Sequence, residues 1–129
     1  MQETRKTRIL IIDDDVSFRE MLRVLLSMEG YAPQVAEDAV EGGKALLAER
    51  PDLVICDVKM PYMDGLELLS LLRSDENTSS LPVILVSGQR DIEILGKAVQ
   101  LGASDYLIKP ITRVRLLASI EECLKKARG

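Results

Sequence analysis

The run Ile9-Leu10-Ile11-Ile12-Asp13-Asp14-Asp15 decides the fold. Four consecutive aliphatic residues leave no polar face. A strand built from them must be covered on both sides, as the central strands of parallel sheets are. The run then stops abruptly on acids. The pattern recurs: Leu53-Val54-Ile55-Cys56 ends in Asp57, Pro82-Val83-Ile84-Leu85-Val86 ends in Ser87-Gly88, and Tyr106-Leu107-Ile108 ends in Lys109-Pro110. A weaker strand is read over Tyr31 to Ala36.

Helical spacing fills the intervals. Phe18, Met21, Leu22 and Leu25 mark the apolar stripe of a first helix that Gly30 closes. Ala39 to Glu49 reads as a helix weakened by Gly42-Gly43 and stopped by Pro51. Leu66 to Arg73 follows a loop with Pro and Asp-Gly turn signals. Asp91 to Leu101 is helical up to Gly102, and Thr112 is a candidate N-cap for a last helix running to Lys126. Strands alternating with helices through short loops predict an α/β fold. The expected form is a doubly wound (βα)5 unit with a five-stranded parallel sheet.

The size fits this reading. A chain of 129 residues is one domain's worth and buries about 68% of its unfolded surface. The prediction is a single domain over 1–129, with 1–7 and 127–129 as tails. With three Tyr, one Phe and no Trp, the core must be aliphatic. A net charge of −4 does not suit a protein that grips nucleic acid with its whole surface. The absence of histidine removes Ser-His-Asp and Cys-His catalysis within the chain, and His-ligated zinc or iron. Cys56 and Cys123 form no CxxC and no metal spacing, so both are expected free and buried, which suits a reducing cytoplasm. The longest apolar runs are far short of a membrane span. No GxGxxG follows the first strand and no GxxxxGK[ST] occurs, which excludes dinucleotide and P-loop sites.

The polar residues that terminate the strands carry the chemistry. In a parallel sheet all strand C-termini share one edge, where open α/β sheets bind ligands. Asp13 and Asp14, Asp57, Ser87 and Lys109 can therefore meet in one cleft despite their separation in sequence. Crowded carboxylates raise one another's pKa unless a cation is present. All-oxygen donors favour a hard divalent ion, foremost Mg2+. An ionised Asp57 can attack a phosphoryl group and form an aspartyl phosphate, with Lys109 and the Ser87 hydroxyl as charge-stabilising partners.

Taken in this order and spacing, the residues resemble the receiver domains of two-component response regulators, of the chemotaxis-regulator type. The likeness rests on Asp13-Asp14, on Asp57 within Asp57-Val58-Lys59-Met60-Pro61-Tyr62-Met63-Asp64-Gly65, on Ser87, and on Lys109-Pro110, and it covers the chain from Ile9 to the last helix. It implies strand order 2-1-3-4-5 and makes Asp57 the phospho-acceptor, served by the histidine of a partner kinase or phosphotransfer protein. It implies Mg2+ held by Asp14 and Asp57 directly, by Asp13 largely through water, and by the backbone carbonyl of Lys59. The phosphoryl group would meet Lys109, Ser87 and the Gly88 backbone. The Lys109–Pro110 bond would be cis, and Ser87 and Tyr106 would form the switch pair. Lys59 and Gln89 stand where the family tunes phosphate lifetime.

The family's readout face is that of its fourth helix, fifth strand and fifth helix. Leu95, Ala98 and Val99 are assigned to the core of the fourth helix. Ile92, Ile94 and Leu101 then exceed what the core needs, and are expected to form a surface for an effector or a second copy of the chain.

Each residue also has a plainer reading. Asp15 is best explained as a helix cap, Ser87-Gly88 as a turn, Asp64-Gly65 as turn chemistry before a helix, and Tyr106 as packing. Two other functions compete with the switch. A Mg2+-dependent aspartyl phosphohydrolase would carry an acid two residues after its nucleophile, where this chain has Lys59. A phosphate-independent pseudo-receiver would lack one of the acids or the lysine, and none is missing. Two arrangements remain open: a free-standing receiver, or one part of a longer regulator joined through Lys125 to Gly129.

Overall fold

The computed structural model describes residues 5–88 and 90–129. Gln89, expected to tune phosphate lifetime, lies outside the described residues. The elements run β1 (Arg8–Ile12), α1 (Val16–Met28), β2 (Ala32–Ala36), α2 (Ala39–Ala48), β3 (Leu53–Asp57), α3 (Gly65–Ser74), β4 (Val83–Ser87), α4 (Ile92–Gln100), β5 (Asp105–Ile108) and α5 (Arg113–Arg128). All pairings are parallel, in the order β2-β1-β3-β4-β5. No helix of the described residues is long and apolar enough to cross a membrane.

The two-residue repeat of each strand divides the core into two layers. Ile9 and Ile11, Leu53 and Ile55, Ile84 and Val86, and Leu107 pack on the side of α1 and α5. Leu10 and Ile12, Val54 and Cys56, Val83 and Leu85 pack on the side of α3 and α4. This double burial is why the strands read as unbroken aliphatic runs. Pro33 is accommodated because β2 is an edge strand. Cys56 and Cys123 are free and buried.

Short polar residues start the helices. Asp15, Asp38, Asp64, Asp91 and Thr112 each accept backbone N–H bonds as N-caps. Asp64 and Glu67 form a full capping box. Gly30 and Gly102 close α1 and α4 at positive φ, 88° and 90°.

Three expectations need correction. The inward face of α1 is Phe18, Leu22, Leu25 and Leu26, while Met21 is 48% exposed. On α4, Ile94 and Leu101 pack against the core beside buried Ala98, whereas Ile92, Leu95 and Val99 face outward. The helix is apolar nearly all round, so its sequence contains two stripes and the spacing does not say which one the sheet takes. Ile94 and Leu101 thus leave the expected partner surface, and Ile92 stays on it. Finally, α5 continues to Arg128 through the expected tail, and the Arg128 guanidinium donates to the Thr7 hydroxyl, tying the two ends of the chain together.

The loop after β3 is closed by a tight approach. A Cβ at Gly65 would collide with the backbone carbonyl oxygen of Asp57 and stand 3.0 Å from the Val58 Cα. Both obstacles are backbone and cannot swing aside. Gly65→Ala is expected to destabilise the fold by about 1–3 kcal/mol, read as a lowered urea midpoint. Ile94→Asp is expected to lower it further by burying a carboxylate against the α4 core, while Ile92→Asp leaves it near the parent value.

Candidate functional site

Register assembles the site. Ile12 pairs with Cys56, so Asp13 emerges beside Asp57. Asp57 pairs with Val86, so Ser87 lies one residue beyond. Ser87 pairs with Ile108, so Lys109 lies one beyond that. The four strand ends therefore deliver two carboxylates, a hydroxyl and an amine in a row. Asp14 joins them from the turn into α1.

Carboxylate oxygens of Asp13, Asp14 and Asp57 lie within 4.8 Å of one another, with Asp13 and Asp57 buried and Asp14 exposed. Lys109 Nζ stands 3.2 Å from Asp13 Oδ2 and 3.9 Å from Asp57 Oδ2. The other Asp13 oxygen accepts the Asp15 N–H at 2.8 Å. Arg19 donates to the Asp13 carbonyl at 2.8 Å, steadying the turn. Burial pushes the Asp57 carboxyl up from its ordinary 3.8 to about 6. Asp13 and Asp14 add to the rise, and Lys109 and a hydrogen bond from the Lys59 backbone oppose it. One ammonium does not balance three carboxylates. Hard oxygen donors, excess negative charge and a carboxylate lifted toward neutrality are what a divalent cation such as Mg2+ would satisfy.

Ser87 is buried at the end of β4, and its carbonyl accepts the Lys109 N–H at 2.8 Å. Gly88 follows, exposed. The Lys109–Pro110 bond is cis. Tyr106 is partly buried among the α3–α4 layer, and its hydroxyl is shielded from solvent with no hydrogen-bond partner among the described residues. The side chain of Lys59 is exposed. One contributor escapes a sequence reading. The Phe18 ring lies 4.1 Å from Lys109 Nζ, a cation–π contact that helps fix the amine. The spacing that marks Phe18 as core also describes this position, and the faint signal is an aromatic in the first turn after the acids.

The family model for the response regulator receiver domain matches residues 9–121. The chain belongs to the response regulator receiver domain family. Response regulator MprA of Mycobacterium ulcerans is 37% identical over 121 residues, covering 94% of this chain and 51% of that protein. MprA of Mycobacterium leprae is 38% identical over 121 residues, covering 94% and 52%. The chain spans about half the length of the curated relatives it matches. A CheY-like response regulator receiver domain protein from Methanospirillum hungatei superposes with TM-score 0.90 at 31% identity, over 96% of this chain and 98% of that one. NtrX from Brucella abortus, solved in complex with ADP, gives 0.89 at 32% identity, over 96% of this chain and 28% of that chain. Receiver domains are signalling units of two-component systems, not classical enzymes. Response regulators receive phosphate from histidine kinases and carry output domains.

The charge balance of this receiver domain has a consequence for stability. Folded Asp57 holds its proton up to about pH 6, whereas unfolded it releases it near 3.8. Between those values the folded state binds more protons, so this group's contribution to stability is full below the lower value and falls as pH rises through the upper. In metal-free protein, Asp57→Asn is therefore expected to melt higher than the parent at pH 7, with the gap closing toward pH 4. Thermal melts in chelator at stepped pH values check the trend, and Mg2+ should narrow the gap at pH 7 by raising the parent.

Proposed function

We propose that this chain is a phosphorylation-operated switch in which Asp57 accepts a phosphoryl group from a partner's phosphohistidine. The observation that carries the reading is the three-carboxylate cluster with one ammonium 3.9 Å from Asp57 Oδ2. In the step itself a carboxylate oxygen of Asp57 bonds to phosphorus, and the bond from phosphorus to the imidazole nitrogen breaks. The imidazole leaves with the electron pair and takes up a proton.

The cluster fits Mg2+ held by Asp13, Asp14, Asp57 and the Lys59 backbone carbonyl, with Asp13 acting largely through water. The ion would supply charge compensation that keeps Asp57 anionic and steadies the phosphoryl oxygens. Lys109 meets a second phosphoryl oxygen, and the Ser87 hydroxyl and Gly88 backbone a third. No carboxylate occupies the position two residues after Asp57, where Lys59 stands, so the only turnover is slow autophosphorylation from small donors and self-dephosphorylation.

Output follows from linkage. A phosphoryl group adds roughly −1.5 to −2 charge and favours whichever loop arrangement pairs with it better. Ser87 and Tyr106 are the switch pair, supported by a Tyr106 hydroxyl that has no partner among the described residues. A cavity of about 360 Å³ opens there, lined by Arg90, Asp91, Ile92, Leu95, Tyr106 and Ile108. The cavity and exposed Val99 support the α4–β5–α5 face as the readout surface, in contact with an effector, an output domain or a second copy of the chain. Residues 1–129 serve as one receiver domain, acting in the cytoplasm without direct contact to nucleic acid or membrane.

Incubation with Mg2+ and acetyl phosphate tests the reading by intact mass. One added phosphoryl group is expected on the parent chain, none on Asp57→Asn, and none on the parent in chelator. Lys109→Ala is expected to slow the gain at least tenfold, since it removes the charge nearest the acceptor. Mass gain on Asp57→Asn equal to the parent's would refute Asp57 as acceptor, and multiple turnover of a phosphate ester would make the chain an enzyme.

A further inference from the structure

We infer that Phe18 is a positioning residue for Lys109, whose ring keeps the amine beside Asp57 once a divalent cation occupies the carboxylates. The inference rests on the acceptor role proposed for Asp57. Three groups surround the ammonium: Asp13 Oδ2 at 3.2 Å, Asp57 Oδ2 at 3.9 Å and the centroid of the Phe18 ring at 4.1 Å. The last distance is well inside the range in which the negative face of an aromatic ring attracts a cation, about 6 Å.

The three contacts respond differently to a metal ion. Asp13 and Asp57 attract the ammonium by their charge, and both belong to the cluster that could hold the ion. With a divalent cation bound, that charge is offset and the ammonium is repelled by a second positive centre. The carboxylates therefore hold Lys109 least well in the state that reacts. The ring has no net charge to be cancelled and no oxygen to offer a hard ion, so its attraction for the ammonium outlasts metal binding. Lysine needs such a contact, because its ammonium is a strongly hydrated point charge on a flexible four-carbon stem. The Lys109 side chain is 23% exposed, so bulk water competes for it.

The ring is itself held in place. Asp15 Oδ1 accepts the Ser17 and Phe18 N–H groups at 3.0 and 3.3 Å, and the Asp15 N–H donates to Asp13 Oδ1 at 2.8 Å. One capped turn thus fixes both the Asp13 carboxylate and the start of the helix that carries the ring. Phe18 also packs against the core layer shared by α1 and α5. An aliphatic side chain would serve that layer at small cost, whereas only an aromatic face attracts the amine.

The test uses the parent chain, Phe18→Leu, Phe18→Tyr, Lys109→Ala and the Phe18→Leu/Lys109→Ala double variant. With acetyl phosphate and saturating Mg2+, Phe18→Leu is expected to gain phosphate about fivefold more slowly than the parent, and Phe18→Tyr to retain most of the rate. In the Lys109→Ala background the leucine is expected to change the rate by less than about twofold, since no amine is left to place. Proton NMR reads the contact without any reaction. The Lys109 Hε signals of the parent are expected upfield, to stay upfield when Mg2+ is added, and to lose the shift in Phe18→Leu. Equal rates for the parent and Phe18→Leu overturn the inference and leave the acceptor reading intact. So does an equal slowing with and without Lys109, which would make Phe18 a packing residue only. Loss of the parent's upfield shift on adding Mg2+ overturns it as well, because the amine would have left the ring as the ion arrived. A parent chain that gains no phosphate overturns both readings.

Discussion

Negative charge forced out of water governs this molecule. Parallel pairing puts the ends of β1 and β3 side by side, so Asp13 and Asp57 emerge together and buried. Asp14 adds a third carboxylate within reach. No rearrangement short of breaking the sheet separates them. The protein answers with one ammonium, held between two carboxylates and over the ring of Phe18. The compensation is incomplete, and the raised pKa of Asp57 records the deficit. A site in that condition favours whatever brings positive charge, and on the proposed reading that preference for a cation is the chemical basis of the switch.

The alternation of β-strands sends the residues at the strand ends to opposite faces of the sheet. Asp57 continues the face of Leu53 and Ile55, toward α1 and α5, where Phe18 meets Lys109. Ser87 continues the face of Val83 and Leu85, toward α3 and α4, the layer in which Tyr106 packs. The two sides communicate across the strand ends, where the Ser87 carbonyl receives the Lys109 N–H at 2.8 Å. On the proposed reading, a shift of the amine toward a new anion on one face pulls on backbone that positions the hydroxyl on the other.

Much of this was legible from residue order. Unbroken aliphatic runs that end on polar residues betray both a doubly covered parallel sheet and the edge where its ligands gather, because burial and register are repeated constraints. Strand order and the placement of Asp13, Asp57, Ser87 and Lys109 follow from them. Helix phase was less legible. In α4 the apolar residues are so numerous that Leu95 and Val99 suit the core as well as Ile94 and Leu101 do, and only the sheet's shape chooses. In α1, Met21 and Leu26 exchange places for the same reason. Phe18 illustrates a different gap: its spacing says buried, and the amine above it comes from a residue 91 positions away in the sequence. The conformation of Tyr62 had no signal, since an aromatic at positive φ contradicts local preference.

That contradiction bears on how the site is divided into fixed and movable parts. The loop after β3 is pinned at each step by Gly65 against the Asp57 carbonyl, by two partly buried methionine side chains and by a capping box. A strained residue persists only where its surroundings over-determine it, so Tyr62 itself marks this loop as fixed. The α4–β5 side is built differently, with a cavity between its elements and a tyrosine hydroxyl that has no partner among the described residues. An unpaired buried hydroxyl costs on the order of 1–3 kcal/mol, which any arrangement that satisfies it recovers. On the proposed reading, acceptor chemistry thus takes place on a rigid wall, while the opposite wall holds the stored free energy that a change at Ser87 can release.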